Sequence, residues 1–481
     1  MNVLENLQPK EVFHYFEEIS RIPRASYKEK LISDYCVAFA KKRDLEVYQD
    51  SLYNVIIIKE ASKGYEDVEP IILQGHLDMV CEKEPESDIN FDIDPIRLMI
   101  EGDNITADGT TLGGDDGIAV AYALAILDST TIAHPRLEVI FTVCEEVGMD
   151  GATGIDVSML KGKRLLNLDS EEEGYMLVSC AGGCTTTCSL PISYEEKSGV
   201  IANLKVTGLI GGHSGGEIHK GRANSNLIAG RFLLNLAEKL EFSLISIEGG
   251  TKDNAIPRET VFEIVLREED TKIFADEVFG FCEILRQEYA SSDPNVTMQC
   301  VLLKESLKKV LTKETLTKSL LLLNHLPAGI IRMSMDIEDL VETSLNMGIL
   351  RIVDDKMEMV YSVRSSVKTQ KELLITKLRT LTEYVGGTIR IHGDYPAWEY
   401  KKESIFRDKV VDIFERMYCK KPIIQAIHAG LECGILSNKI KDLDGVSIGP
   451  DMESIHTTEE KLSISSTKRV WEYVLEVLKE K

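Results

Sequence analysis

The sequence predicts an α/β protein: a mixed sheet between helices, with an α+β segment inserted into it. Three observations carry this expectation. The chain has 481 residues, too many for one compact core, so two domains are expected. Up to about residue 183, helical and strand patterns alternate, as they do when helices cover both faces of a sheet. From 184 to 393 the texture becomes long strands coupled to helices, and from 394 onward the helical periodicity returns. The expected division is therefore 1–183 with 394–481 as one domain and 184–393 as the insertion.

Within the first stretch, PKEVFHYFEEISRIPR and YKEKLISDYCVAFAKKRD carry apolar residues at spacings of three and four, which predicts amphipathic helices. LEVYQDSLYNVIIIKE and PIILQGHLDMVCE read as strands, the second an apolar run ending in polar residues. GIAVAYALAILDS is apolar nearly all round and predicts a buried helix. RLEVIFTVCEEVG and KRLLNLDSEEEG predict two further buried strands. In the insertion, a strand, a glycine-rich loop and a long helix follow one another in NLKVTGLIGGHSGGEIHKGRANSNLIAGRFLLNLAEKL. A comparable unit around KMEMVYSVRSSVKTQKELLITKLRTLTEYVGGTIRIHG suggests two related halves. FRDKVVDIFERMYCKK and KRVWEYVLEVLKE are again helical, with GVSIGPDMESIHT a strand running into a loop.

Composition excludes several classes. The formal charge of −24 would repel both nucleic acid and anionic membrane surfaces, so neither is an expected partner. The start, MNVLENLQPKEVFHYF, has no basic region followed by an apolar one, so no signal peptide is expected. No run of about 18 apolar residues predicts a membrane span. Ten cysteines scattered among hydrophobic segments read as reduced thiols of a cytoplasmic protein. Cys180, Cys184 and Cys188 lack zinc-ribbon spacing and read as strand residues.

The chemistry concentrates where predicted strands end, which is where ligands gather in open α/β sheets. His76 and Asp78 stand in GHLDMV, Asp115 and Asp116 in LGGDDGIA, Glu145 and Glu146 in CEEVG, Asp169 in LNLDSEEEG, and His456 in GPDMESIHTTEE. Taken alone, Asp115 reads as the cap of the helix opening at Gly117. Taken together, two imidazoles and several carboxylates on one sheet edge would repel or protonate unless cations compensated them. Mixed His/Asp/Glu ligation suits zinc, manganese or cobalt. The ligands suffice for two metals sharing one carboxylate, and such a pair, about 4 Å apart, can clamp a substrate oxygen while generating hydroxide. His76 and Asp78 face the same side of a strand, so Asp78 can accept the second ring N–H of His76 and fix its tautomer. Two adjacent glutamates can serve one site only if the strand has ended and the backbone is turning, which Gly148 and Gly151 permit.

These motifs resemble the co-catalytic zinc peptidase family that includes peptidase T, carboxypeptidase G and the carnosinases. GGHSGGEIHKGRANSN, KDNAIPRE and HAGLECGIL further resemble its bacterial aminoacyl-histidine dipeptidases. The likeness covers essentially the whole chain. It implies a di-zinc peptidase domain carrying an inserted lid and dimerisation domain. It also implies a cytoplasmic homodimer acting on small peptides, with two divalent ions per subunit, zinc first and cobalt or manganese as alternatives. Carried over by residue, His76 and Asp169 would hold one metal, His456 and Glu146 the other, and Asp115 would bridge them. Asp116 follows in the strained Asp–Asp peptide that the family shows. Asp78 would orient His76, and Glu145 would be the general base of a metal-bridging hydroxide. His213 would reach across the dimer to the developing oxyanion. Asn254 and Arg364 would hold the substrate carboxylate, and Gly430 and Glu432 lie in a matching loop.

The implied reaction is hydrolysis of unblocked dipeptides, preferentially Xaa-His, carnosine-like substrates included. A related exopeptidase or deacylase (a tripeptidase, or an N-acyl amino acid hydrolase) is the alternative within enzymes, and an inactive metal-binding scaffold the alternative outside them. Glu145 speaks against the scaffold, because binding alone needs no base beside the ligands. His213 also reads as an exposed loop residue, Arg364 as a partner in a structural ion pair, and His428 as a buried histidine outside the catalytic set.

Overall fold

The computed structural model describes residues 2–481. The chain divides into two units: residues 1–179, 400–426 and 431–481 form the first, and residues 180–399 and 427–430 the second. The short segment 427–430, which nothing in the sequence texture marks, belongs to the second unit.

The first unit is built on an eight-stranded sheet. Its strands are β1 (Glu46–Gln49), β2 (Val55–Lys59), β3 (Ile71–His76), β4 (Leu137–Thr142), β5 (Arg164–Asn167), β6 (Tyr175–Cys180), β7 (Ile423–Ile427) and β8 (Asp444–Ser447). They lie in the order β1-β2-β4-β3-β5-β8-β6-β7. Every residue of β3, β4 and β5 is buried, as expected of strands covered on both faces. β3 runs parallel to both β4 and β5, with His76 opposite Thr142 and Gln74 opposite Asn167. β8 continues the parallel set, Ser447 opposite Asn167. The carboxyl ends of four parallel strands therefore open on one edge.

Helices α1 (Lys10–Ile19), α2 (Lys30–Lys41) and α3 (Gly114–Asp128) pack onto the sheet or one another. α3 is buried from Gly114 to Leu127, because GIAVAYALAILD offers an apolar surface in every direction. Each fully buried Ile or Leu here contributes about 1.5–3 kcal/mol relative to exposure. That core fixes the start of α3, and with it Asp115, against the end of β3.

The second unit carries a nine-stranded sheet. Tyr194–Thr207, Phe242–Gly249, Thr260–Leu266, Val341–Val353 and Lys356–Ser365 are among its strands, and the paired registers are antiparallel throughout. Helices Ser225–Ala237, Thr271–Glu288, Lys313–His325 and Lys368–Tyr384 accompany it. Phe232 packs against Phe262, Phe274 and Phe281 in the core. Cys184 and Cys188 lie in the same core, and all ten cysteines are free.

Candidate di-metal active site

Five loops converge at the carboxyl edge of the first unit's sheet. β3 ends on His76, and Asp78 follows two residues later. Asp115 and Asp116 stand in the first turn of α3 with non-helical backbone, joined by a cis peptide bond. Glu145 and Glu146 follow β4, Asp169 follows β5, and His456 lies in the loop after β8.

The side chains meet around Asp115. Its Oδ1 lies 3.1 Å from His76 Nε2 and its Oδ2 lies 3.0 Å from His456 Nε2. One carboxylate oxygen thus faces each imidazole. His76 Nε2 is also 3.4 Å from Asp169 Oδ1, and His456 Nε2 is 3.0 Å from Glu146 Oε2. Donor atoms of His76, Asp115 and Glu146 all fall within 4.8 Å of one another, as do those of His76, Asp116 and Asp169. Asp116 enters the second group although the resemblance implies no ligand role for it. One of its oxygens accepts the His76 backbone N–H at 3.2 Å, and the other is buried without a partner.

The electrostatics test whether cations fit. Burial alone would lower the His76 pKa, yet Asp169, Asp115 and Asp78 raise it well above the ordinary imidazole value. Hydrogen bonds to Asp115 and Glu146 push His456 up to about 10. Burial, with the neighbouring charges of Asp115 and Glu146, raises Asp169 to about 6. Burial raises Glu145 well above the carboxylate range, reinforced by Asp169, Glu432 and Glu146. His76, His456, Asp169 and Glu145 hold protons more tightly than usual, while Asp115, hydrogen-bonded to both imidazoles, is held below the ordinary carboxylate range although burial alone would raise it. Protons on the imidazoles stand where positive charge is wanted, so this donor set calls for cations. Nitrogen and oxygen donors in this arrangement fit two divalent ions.

Asp78 organises the turn behind the donors. Its carboxylate accepts the backbone N–H groups of Glu145 at 3.1 Å and Glu146 at 3.3 Å, and the Ser26 hydroxyl at 2.8 Å. His76 Nδ1 is 3.1 Å from the Asp78 carbonyl and 3.5 Å from its carboxylate, so the main-chain oxygen is the nearer acceptor for that ring N–H. The chain turns earlier than the glycines imply, since Cys144 already has a left-handed φ of 54°. Its N–H and Sγ both donate to Glu29 Oε1, at 3.0 and 3.2 Å, which anchors the bend. Gly148 also has positive φ. Gly151 is required for a different reason: a Cβ there would lie 2.2 Å from the Val143 carbonyl oxygen.

Two buried charged groups, Arg24 and Glu460, escaped the sequence reading, and a third, Glu432, was placed by it in a matching loop without a role. Glu432, fully buried, accepts from Gln74 and Thr142, each at 2.5 Å, and its pKa is raised by burial to about 8. Arg24 donates to the carbonyls of Leu77, Asp78 and Gly113. Glu460 accepts backbone N–H groups from Leu112 to Asp115. Arg24 and Glu460 are single charges whose neighbours in sequence do not distinguish them from solvated residues.

The remaining candidates belong to the second unit. His213 lies in a two-residue strand paired with Ala255–Ile256, and Ser214 N–H donates to the Asn254 carbonyl at 2.8 Å. His213 Nδ1 accepts the Gly216 N–H at 3.0 Å, which leaves Nε2 as the proton-bearing nitrogen of the neutral ring. Burial and then the Arg364 charge lower the His213 pKa. A Cβ on Gly215 would lie 3.1 Å from His213 Cε1, 3.2 Å from Arg364 Cζ and 2.6 Å from the His428 carbonyl, so these three residues line one place. Arg364 is buried; one terminal nitrogen donates to Tyr395 Oη at 3.0 Å and its Nε has no partner. His428 is buried, its Nε2 2.7 Å from Ser344 Oγ. Gly430 closes the segment that begins at Ile427.

Comparison with known proteins identifies the family. A family model described as a peptidase dimerisation domain matches residues 204–293. The cytosol non-specific dipeptidase of Escherichia coli is 38% identical over 485 aligned residues, covering 100% of this chain and 99% of that protein. The crystal structure of aminoacylhistidine dipeptidase from Vibrio alginolyticus superposes with a TM-score of 0.93 at 34% identity, covering 99% of this chain and 98% of that one. Aminopeptidase PepT from Bacillus cereus shares the fold, with a TM-score of 0.56 at 16% identity over 98% of each chain. The chain therefore belongs to the M20 family of metallopeptidases, among its dipeptidases, hydrolases of the peptide bond.

Proposed function

We propose that the chain hydrolyses unblocked dipeptides, preferring Xaa-His, with two zinc ions per subunit in a cytoplasmic homodimer. His76 and Asp169 would hold one ion, Glu146 and His456 the other, and Asp115 both. The observation that carries this reading is the placing of Asp115 between the two imidazoles, one oxygen toward each. When bound, two such ions activate water and polarise the scissile carbonyl.

The protein's own part follows from the geometry. Glu145 is in neither ligand group, so its lone pairs are free to take a proton and return it to the leaving amine nitrogen. Burial raises its pKa above the ordinary carboxylate value, the direction that lets a carboxylate hold a proton between the two transfers. Asp78, holding both glutamate N–H groups, keeps the base and the ligand on their separate tasks. In the second unit, Arg364, buried with an unpartnered Nε and no carboxylate within ion-pair distance among the described residues, would take the substrate carboxylate with Asn254 and Gly430. His213, with Nδ1 occupied by the Gly216 N–H and its proton therefore on Nε2, would donate to the oxyanion of the partner subunit's site. Residues 184–393 would act as the lid and dimer contact, a reading supported by the dimerisation-domain match.

The relatives' names divide over specificity, one non-specific and one aminoacylhistidine. A panel of dipeptides, with carnosine, a tripeptide and an N-acetylated amino acid, tests the proposal with and without chelator. Cleavage of Xaa-His above other dipeptides, abolished by chelator and restored by zinc, is expected. Equal rates across the panel would remove the histidine preference, and activity surviving complete metal removal would remove the two-metal mechanism.

A further inference from the structure

The donor atoms sit on loops separated by up to hundreds of residues, so something must hold those loops in register. Glu460, four residues after His456, is 3% exposed. Its Oε2 accepts the N–H of Leu112 at 2.7 Å and of Gly113 at 3.0 Å; its Oε1 accepts that of Gly114 at 2.7 Å and of Asp115 at 3.4 Å. One carboxylate thereby satisfies four backbone donors at the mouth of α3, where both orphan N–H groups and the helix dipole favour a negative charge. Arg24, also 3% exposed, works from the other side. Its Nη1 donates to the carbonyls of Leu77 and Asp78, each at 3.0 Å, and its Nη2 donates to the Gly113 carbonyl. A Cβ on Gly113 would lie 2.5 Å from that Nη2, so glycine is what admits the guanidinium.

Gly113 is gripped at both of its backbone polar groups, its N–H by Glu460 and its carbonyl by Arg24. The loop of His76 and Asp78, the turn of Asp115 and the loop of His456 are thus linked through two side chains that donate no atom to either ligand group. We propose that Arg24 and Glu460 are positioning residues that set the spacing of the donors for the metal pair. Their contacts are charge-assisted and buried, hence stiff. Groups that orient ligands from behind are typically worth on the order of 10- to 100-fold in metal affinity.

The inference rests on the ligand assignment proposed above, and the test separates the two. Zinc affinity and stoichiometry are measured by competition with a chromogenic chelator for the unaltered protein, Glu460→Gln, Arg24→Lys and the control Glu138→Gln. Glu138 is a fully buried carboxylate that accepts the N–H groups of Lys161 and Gly162 at the far end of β4, so it reports general loss of a buried anchor. In Glu460→Gln an amide NH2 replaces an acceptor facing backbone donors. Both frame variants are expected to bind zinc 10- to 100-fold more weakly than Glu138→Gln at matched thermal stability, with kcat falling more than KM rises. Zinc affinity equal to that of the control would overturn the frame. So would frame variants that stay unfolded in excess zinc, since Arg24 and Glu460 would then serve folding. Unaltered protein that binds no zinc would instead sink the ligand assignment.

Discussion

The carboxylate of Asp78 accepts the backbone N–H of Glu145 at 3.1 Å while lying 3.5 Å from the ring of His76. One buried acid therefore couples a proposed ligand on β3 to the proposed base after β4. Asp78→Asn keeps the shape but turns one acceptor oxygen into a donor facing N–H groups. Zinc affinity should fall by on the order of 10-fold or more, together with kcat. Unchanged affinity in a chelator titration would reduce Asp78 to a support of the turn.

The two adjacent glutamates make opposite predictions. Glu145→Gln should lower kcat by on the order of 10^2- to 10^4-fold with metal content near that of the unaltered protein. Glu146→Gln removes an oxygen 3.0 Å from His456 Nε2 and should lose metal at that position first. Elemental analysis beside steady-state rates distinguishes them, and the reverse pattern would mean that the roles are exchanged.

Metal removal should be visible without any assay of activity. A metal ion that binds the folded cluster and not the unfolded chain adds about 2.7 kcal/mol of stability at a free concentration 100 times its dissociation constant. A melting temperature that rises with zinc and falls in chelator is expected. Among the described residues no helix is long and apolar enough to cross a membrane.

How much of this was visible in the sequence depends on the physics at each position. β3, β4 and α3 were legible because a residue buried on every side must be apolar, and IIL, VIF and AVAYALAIL admit few other readings. His76, Asp115, Glu146, Asp169 and His456 were legible as polar residues set where apolar runs stop, and the structure brings them together. Cys144 was not, because nothing local marks a left-handed cysteine; its conformation is held by Glu29, 115 residues away in sequence. Arg24 and Glu460 were invisible for the same reason, and Glu432 showed only as a residue of a matching loop: a buried charge and a solvated one look alike until their partners are known. Arg364 read equally as half of an ion pair, and only the three-dimensional arrangement shows its Nε unpartnered.

Gly151 offers a test of the turn that separates the glutamates. Alanine there would place a Cβ 2.2 Å from the Val143 carbonyl oxygen and 2.6 Å from Asn54 Oδ1. The first contact is backbone and cannot yield by rotation. Overpacking of this kind costs about 1–3 kcal/mol, and relief by moving the turn would displace Glu145 and Glu146. Gly151→Ala should therefore lose both thermal stability and kcat, whereas Gly280→Ala, exposed within the helix Thr271–Glu288 and with nothing within 4 Å of the added Cβ, should leave kcat unchanged and raise stability by about 0.5–1 kcal/mol.

His213 makes the sharpest claim about assembly. Its Nδ1 is occupied by the Gly216 N–H, and the nearby Arg364 charge disfavours the imidazolium. The ring is therefore a neutral donor through Nε2, able to stabilise an oxyanion. If it serves its own subunit, a His213→Ala chain and a Glu145→Gln chain are each inactive, and mixing them restores nothing. If it serves the partner subunit, the mixed dimer contains one site with both Glu145 and His213. Unfolding and co-refolding equal amounts of the two chains should then recover about a quarter of the unaltered activity, because half the dimers are mixed and each has one complete site. Recovery absent from a mixture shown to contain mixed dimers would place His213 outside the partner's site.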